Sequence, residues 1–109
     1  MKQWDTFDYP FPHGVHPCVI ISRTARCQNP AFSTVNILAG QSHRALRLPQ
    51  DHEFLLGVED GMDWETLIRI DFIWVADKGQ FHKARKEVTP ERRRALGAKL
   101  IRWFGFWQP

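Results

Sequence analysis

Two oppositely charged side chains, Arg69 and Asp71, stand two residues apart in an otherwise apolar stretch of the sequence. Side chains two apart on a β-strand point to the same face, about 6–7 Å from each other along the backbone. A cation and a carboxylate between hydrophobic neighbours are costly unless they pair or serve a function. A carboxylate can accept the proton of a ribose 2′-OH while a guanidinium stabilises the attacked phosphorus. The pair therefore indicates either a surface ion pair or a site that cleaves RNA without a metal.

A histidine and a polar run are the next candidates. His16 stands immediately before Pro17 and an apolar segment, and imidazole exchanges protons near neutral pH. The run Gln41-Ser42-His43-Arg44 predicts a polar turn, which is either solvent-exposed or a place where Ser42 and Arg44 hold a phosphate. The histidines are scattered and lack the spacing of metal ligands, so we expect no metal site.

A long strand is predicted to present Arg69 and Asp71. The stretch Leu67–Val75 is rich in β-branched and aromatic residues and contains no Pro or Gly. Alternation along this strand predicts one unbroken apolar face, made of Ile68, Ile70, Phe72 and Trp74. The other face then carries the charged pair between Leu67, Ile73 and Val75.

Shorter elements are predicted around that strand. Apolar or alternating runs predict further strands, at Trp4–Tyr9, Cys18–Ser22, Thr34–Ala39, Glu53–Leu56 and Lys83–Val88. Loops are predicted at Pro10–Pro17 and Arg23–Ser33. Thr89 and Pro90 are typical of a helix start, and Gly105 of a helix end. Apolar residues at helical spacing form the expected buried face, with Leu96, Leu100, Trp103 and Trp107. Short strands followed by one helix predict a small barrel.

Composition favours a single globular domain spanning residues 1–109. Hydrophobic residues make up 43% and charged residues 25%, with no run long enough to span a bilayer and no apolar leader. Two cysteines do not make a disulfide framework, so we expect reduced thiols and a cytoplasmic protein. A basic block between Lys78 and Arg94 suits either a polyanion or a solvated surface.

Four segments, in order, resemble the PemK/MazF/Kid family of bacterial toxins. Trp4 is similar to the tryptophan of the family's first strand, and the stretch from His16 to Ser22 resembles its Arg-Pro-Val-Leu-Val-Ile-Ser strand. Leu67-Ile68-Arg69-Ile70-Asp71 resembles Val-Val-Arg-Cys-Asp of Kid. Val88-Thr89-Pro90-Glu91 resembles the start of the family's final helix.

The resemblance implies a mainly β fold, an SH3-like barrel of about five to seven strands with a C-terminal helix. It also implies a homodimer, a cognate antitoxin, and cleavage of single-stranded RNA with no metal or other cofactor. Arg69 matches the family's acid and Asp71 its base, with His16 as an auxiliary group for the phosphate or a proton. Gln41 or Ser42 falls near the family's Thr-Ser pair, and with Arg44 they are the predicted RNA-binding residues.

The sequence departs from the family pattern at two places. His16 replaces the family's arginine before proline, and the first loop, Asp8–Val15, is shorter and has no Glu-Gln segment. These departures leave two alternatives open. One is a non-catalytic toxin of the same fold acting on a protein, as the gyrase-inhibiting toxins do. The other is a basic domain that binds nucleic acid without cutting it.

Overall fold

The computed structural model describes residues 1–42 and 47–106, without the side chain of Ser42. Seven strands of this part of the chain form one antiparallel sheet. In chain order the elements are β1 (Asp5–Phe11), β2 (Gly14–Ile20), α1 (Thr24–Cys27), β3 (Thr34–Ser42), β4 (Glu53–Leu56), β5 (Thr66–Arg69), β6 (Trp74–Asp77), β7 (Ala84–Glu87) and α2 (Pro90–Phe104). Single 3₁₀ turns at Val58–Asp60 and Lys78–Gln80 connect neighbouring strands.

Strand β3 organises the sheet because it is paired along both edges. One edge pairs with β2, which continues through β1 to β7. The other edge is divided between two partners: the first half of β3 pairs with β6, and the last three residues pair with β5. Strand β4 pairs with the free edge of β5. The sheet therefore curls into a half-barrel, with a corner where β3 exchanges β6 for β5.

Two apolar clusters lie on opposite sides of β3. Alternate residues of this strand, Val35, Ile37 and Ala39, join the first cluster, and Leu38 joins the second. The single helical face of α2 closes the second cluster through Leu96, which is fully buried, with Leu100 packed at its edge. Burial on both faces explains why β3 is apolar without the alternation of a half-exposed strand.

The helix and the overall class agree with the predictions. A mainly β fold of five to seven strands with a C-terminal helix is confirmed. Helix α2 begins at Pro90 and is capped at its C-terminal end by Gly105, whose φ of 71° is the left-handed conformation that glycine favours. Trp103 was predicted on the buried face but is 43% exposed, and Trp107 lies outside the described residues. No helix in residues 1–42 or 47–106 is long and apolar enough to cross a membrane.

The prediction of one long strand over Leu67–Val75 is wrong. Strand β5 ends at Arg69, the chain bends at residues 70–71, and β6 starts at Trp74. Ile68 and Ile70 are fully buried as expected, but Phe72 is 52% exposed, so the predicted apolar face stops at the bend. The cause is tertiary, because β5 and β6 pair with different halves of β3.

The predicted loop Arg23–Ser33 contains the short helix α1, and two other predicted loops are strands in the structure. The region from Pro10 to Pro17 is a hairpin in which Phe11 pairs with Gly14 across a two-residue turn. The polar run after β3 was predicted as a turn from Gly40 onward, but β3 continues to Ser42 and Gly40 pairs with Ile68. Both errors come from treating polar and Pro-containing residues as loop signals in strands whose pairing is set by neighbours.

Candidate active site

Arg69 and Asp71 are joined by a bidentate ion pair at the corner of the sheet. Arg69 is the last residue of β5, and Asp71 follows it after the bend. Arg69 Nε donates to Asp71 Oδ1 at 2.8 Å, and Nη2 donates to Oδ2 at 2.6 Å. The side chains are 43% and 25% exposed, respectively, so the pair is accessible from solvent. The two residues therefore lie side by side, as the sequence predicted, and they satisfy each other.

The ion pair changes the acid–base properties of both groups. The hydrogen bonds from Arg69 lower the pKa of the Asp71 carboxyl below its ordinary value. The hydrogen bonds to Asp71 raise the pKa of the Arg69 guanidinium further. In this arrangement the carboxylate is a weaker base, and the guanidinium a weaker acid, than the isolated groups. The ion pair thus keeps the guanidinium charged and fixed in position, and while they are paired neither group is suited to exchanging protons.

A cavity of about 260 Å³ opens beside Arg69. It lies where β3 passes between β2 and β5, and β6 supplies one wall. Its lining consists of His13, His16, Ala39, Gly40, Gln41, Arg69, Phe72 and Trp74. The sequence-predicted residues His16, Gln41 and Arg69 are therefore brought together around one concavity. Asp71 is not among the described lining residues and reaches the cavity only through its contact with Arg69.

His13 belongs to this site, although it falls in the predicted loop Pro10–Pro17 and was not among the candidate residues. The rings of His13 and His16 are stacked, with centroids 4.7 Å apart and planes inclined by 30°. The two-residue turn of the β1–β2 hairpin causes this proximity, since it turns the chain back between Phe11 and Gly14. Recognising Pro12-His13 as the tip of a tight hairpin, rather than as part of a long loop, would have predicted it.

Aromatic rings form a second part of the cavity wall. Trp74 contacts Phe72 at a centroid distance of 4.9 Å and Phe11 at 5.2 Å, so it is held in place from two sides. Phe72 is half-exposed at the mouth. Exposed aromatic faces of this kind stack nucleobases with little dependence on sequence. The sequence assigned Phe72 and Trp74 to the core, and the bend after Arg69 is what moves them to the cavity.

The predicted RNA-binding residues are only partly described. Gln41 is exposed and lines the cavity from β3, where it pairs with Leu67. The backbone of Ser42 ends β3 opposite Thr66. The side chain of Ser42, together with His43 and Arg44, lies outside the described residues, so their roles stay predictions.

The chemistry available in the cavity is that of anion binding and proton transfer. One guanidinium, two imidazoles and one amide converge on a space bounded by aromatic rings. Guanidinium groups bind phosphate oxygens strongly, and imidazole is the side chain that exchanges protons near neutral pH. Within residues 1–42 and 47–106, no cluster of three or more His, Cys, Asp or Glu is arranged to hold a metal ion.

Solved structures with the same architecture are toxin ribonucleases. The Mycobacterium tuberculosis toxin MazF-mt6 superposes with a TM-score of 0.78 and 11% identity, over 93% of this chain and 96% of that one. An endoribonuclease in complex with its cognate antitoxin, from mycobacterial species, superposes with a TM-score of 0.75 and 18% identity, over 96% of this chain and 93% of that one. A further mycobacterial endoribonuclease superposes with a TM-score of 0.74 and 19% identity, over 96% of this chain and 91% of that one. The chain has the MazF fold.

At these identities the likeness establishes the fold and not the individual residues. No protein-family model matches the chain, and no curated protein is similar to it in sequence. The likeness in fold nevertheless extends over 93–96% of this chain. The resemblance inferred from four short segments is therefore confirmed at the level of the fold.

Proposed function

We propose that this protein is a toxin-type endoribonuclease that cleaves single-stranded mRNA in the cytoplasm without a metal. The observation that carries the proposal is the convergence of Arg69, His13, His16 and Gln41 on one cavity of a MazF fold. RNA supplies its own nucleophile in the ribose 2′-OH, so the protein needs to hold the phosphate and to move two protons.

The reaction is an in-line transfer at phosphorus. The 2′ oxygen forms a bond to phosphorus as its proton passes to a base, and the bond from phosphorus to the 5′ oxygen breaks as that oxygen receives a proton. The products are a 2′,3′-cyclic phosphate and a 5′-hydroxyl end. Arg69, fixed by Asp71, is positioned to stabilise the negative charge that builds on the phosphate oxygens.

Proton transfer is assigned to Asp71 as base, with Arg69 as acid, by the family resemblance. The ion pair opposes both roles, since it keeps both groups charged. A phosphate that draws the guanidinium away from Asp71 would return basicity to the carboxylate. His16 is the alternative proton donor to the 5′ oxygen, because it lines the same cavity and imidazole is the side chain most often used for general acid–base catalysis. His13, stacked on His16, orients it.

The proposed partners are RNA, a second copy of the chain and an antitoxin. A homodimer is favoured by a row of exposed apolar side chains in and before β6, since Phe72, Ile73 and Val75 are 52%, 39% and 67% exposed. Val75 does not line the cavity described above. A Val75→Asp variant is therefore expected to be monomeric in light scattering while wild type is dimeric. The antitoxin is proposed because one similar structure is an endoribonuclease in complex with its cognate antitoxin, and in this protein it would cover the RNA site.

The decisive experiment combines inducible expression with mapping of RNA 5′ ends. We expect growth arrest and new ends at defined sequences, and the purified protein should produce cyclic phosphates in EDTA and leave DNA uncut. Arg69→Ala should lower cleavage by about 10²–10³-fold and His16→Ala by about 10²-fold. Arg94→Ala, an exposed arginine of α2, is the matched control and should cut normally.

Asp71→Asn separates the base from a positioning role. A loss of about 10²-fold or more supports the carboxylate as base, and a loss below tenfold assigns it to orienting Arg69. Growth arrest with intact RNA would overturn the nuclease proposal in favour of a protein target. Binding of RNA and DNA alike, without cleavage or arrest, would instead support the basic binding domain.

A further inference from the structure

A second cavity lies on the other side of His16. It has a volume of about 300 Å³ and shares His16 with the cavity that contains Arg69. Its lining is built by β1, β2, β7 and the segment that enters β5, namely Asp8, Val15, His16, Pro17, Asp63, Trp64, Thr66 and Arg85. A single side chain thus separates it from the proposed cleavage site. The volume is at the lower end of the range, about 300–1,000 Å³, that is typical of small-ligand pockets.

The apolar part of the lining of this second cavity includes an indole. Trp64 is 44% exposed, and Val15 and Pro17 of β2 line the same cavity. A partly exposed indole suits a planar ring better than a flexible chain. Stacking of one base on an aromatic side chain contributes about 1–3 kcal/mol without regard to which base it is.

The polar floor of the cavity carries more negative than positive charge. Arg85 is its one described cation, and its side chain is only 10% exposed. Its Nε donates to Asp8 Oδ1 at 2.7 Å, and its Nη1 donates to the Gly61 carbonyl at 2.9 Å. Arg85 is also much less exposed than Arg69 (10% against 43%) and lies between two carboxylates, so it does not recruit a phosphate. The cavity is therefore unlike the Arg69 site and is unsuited to an anion.

Asp63 is the more exposed of the two carboxylates in this cavity. Its side chain is 60% exposed, and its contacts with Arg85 are long, at 3.3 Å and 3.4 Å. Carboxylate oxygens with spare acceptor capacity pair with N–H donors. Among nucleobases, the exocyclic amino groups of cytosine and adenine supply such donors, whereas uracil presents a carbonyl at the same edge.

We propose that the cavity between Trp64 and Asp63 is a nucleobase subsite that selects cytosine or adenine over uracil at one position flanking the cut. Trp64 stacks on the base, Asp63 accepts from its amino group, and Arg85 fixes Asp63 against β1. This inference rests on the proposed function for its link to cleavage. The proposal assigns part of the RNA sequence preference of cleavage to the cavity lined by His16, Asp63 and Trp64.

The test uses single-stranded RNAs that differ only in the bases flanking the mapped cut. Wild type should cut substrates with cytosine or adenine at one flanking position about tenfold faster than those with uracil, as expected for one base-edge contact. Asp63→Asn should abolish or reverse this preference, because an amide can donate to the uracil carbonyl. Trp64→Ala should raise KM for every one of these RNAs without changing kcat. Trp64→Phe keeps an aromatic ring and should return KM toward the wild-type value. Asp51→Asn, an exposed control, should leave the preference unchanged.

Binding to RNA with 2′-O-methyl groups separates this inference from the proposed function. If RNA is cut but Asp63→Asn keeps the wild-type preference in cleavage and binding, the subsite is overturned and the nuclease stands. If no RNA is cut but binding shows a cytosine or adenine preference that depends on Asp63, the nuclease is overturned and the subsite stands. If neither cleavage nor such a preference is found, both are overturned.

Discussion

Gly40 lies in β3 where this strand pairs with β5, and the neighbouring side chains leave little room for a Cβ. Adding one methyl group there should destabilise the protein. A Cβ at this position would lie 2.8 Å from Ile68 Cδ1, 2.9 Å from Thr66 Cγ2 and 3.2 Å from the Pro17 carbonyl oxygen. Overpacking of this kind costs about 1–3 kcal/mol, and the smaller backbone entropy of alanine offsets about 0.4–1 kcal/mol of it. We therefore expect Gly40→Ala to lower the free energy of unfolding by about 1–2 kcal/mol.

A glycine of α2 provides the control of opposite sign. A Cβ on Gly97 would meet only Trp4, at 3.9 Å, which is ordinary van der Waals contact. Gly97→Ala should therefore stabilise the protein by about 0.5–1 kcal/mol through helix propensity.

The measurements are urea and thermal unfolding of both variants beside wild type. At about 4–8 °C per kcal/mol for a domain of this size, Gly40→Ala should melt roughly 5–10 °C lower and Gly97→Ala a few degrees higher. The packing described for Gly40 between β3 and β5 would be refuted if Gly40→Ala were at least as stable as wild type while Gly97→Ala were stabilised.

Two further predictions concern buried carboxylates. Asp60 is fully buried and accepts from Arg92 Nη1 at 3.0 Å, so Asp60→Ala should cost about 3–5 kcal/mol in urea unfolding. Glu59→Ala removes an exposed partner of the same arginine and should cost under about 1 kcal/mol; equal losses would contradict this difference. Hydrogen bonds from Arg47 lower the pKa of buried Glu53 to about 2, so its stabilisation is complete above its unfolded pKa and is lost as the pH falls toward 2. Glu53→Gln should therefore be about 1–3 kcal/mol less stable at pH 7, with the gap closing between pH 4.5 and pH 2; a gap independent of pH would exclude the linkage.

Local pattern was sufficient for some elements and failed where two partners compete for one strand. Strand β4 and helix α2 were predictable because their ends carry their own signals, such as Pro90 and Gly105. The division of Leu67–Val75 into β5 and β6 was not, since residues 67–75 are mostly β-branched or aromatic and contain no Pro or Gly to mark a break. Only the pairing with β3 requires the bend, and pairing is a long-range property that propensities do not contain.

The candidate site shows the same limit. Arg69 and Asp71 were predictable as a pair, because side chains two residues apart can meet whether the strand continues past Arg69 or bends at residues 70–71. His13 and Phe72 were missed, since their place at the cavity depends on a tight hairpin and on the corner of the sheet. Charge spacing within one segment can be inferred from sequence, but the convergence of segments cannot.

The double pairing of β3 couples the two sides of the cavity mechanically. Ile37 is in register with Trp74, and three residues later Gly40 is in register with Ile68, next to Arg69. The distance between the Trp74 side and the Arg69 side of the cavity is therefore set by the segment of β3 from Ile37 to Gly40. Substitutions in this segment change its packing, as at Gly40, but keep the register, whereas inserting a single residue would reverse the facing of the side chains on one side of the insertion and leave the other side in place.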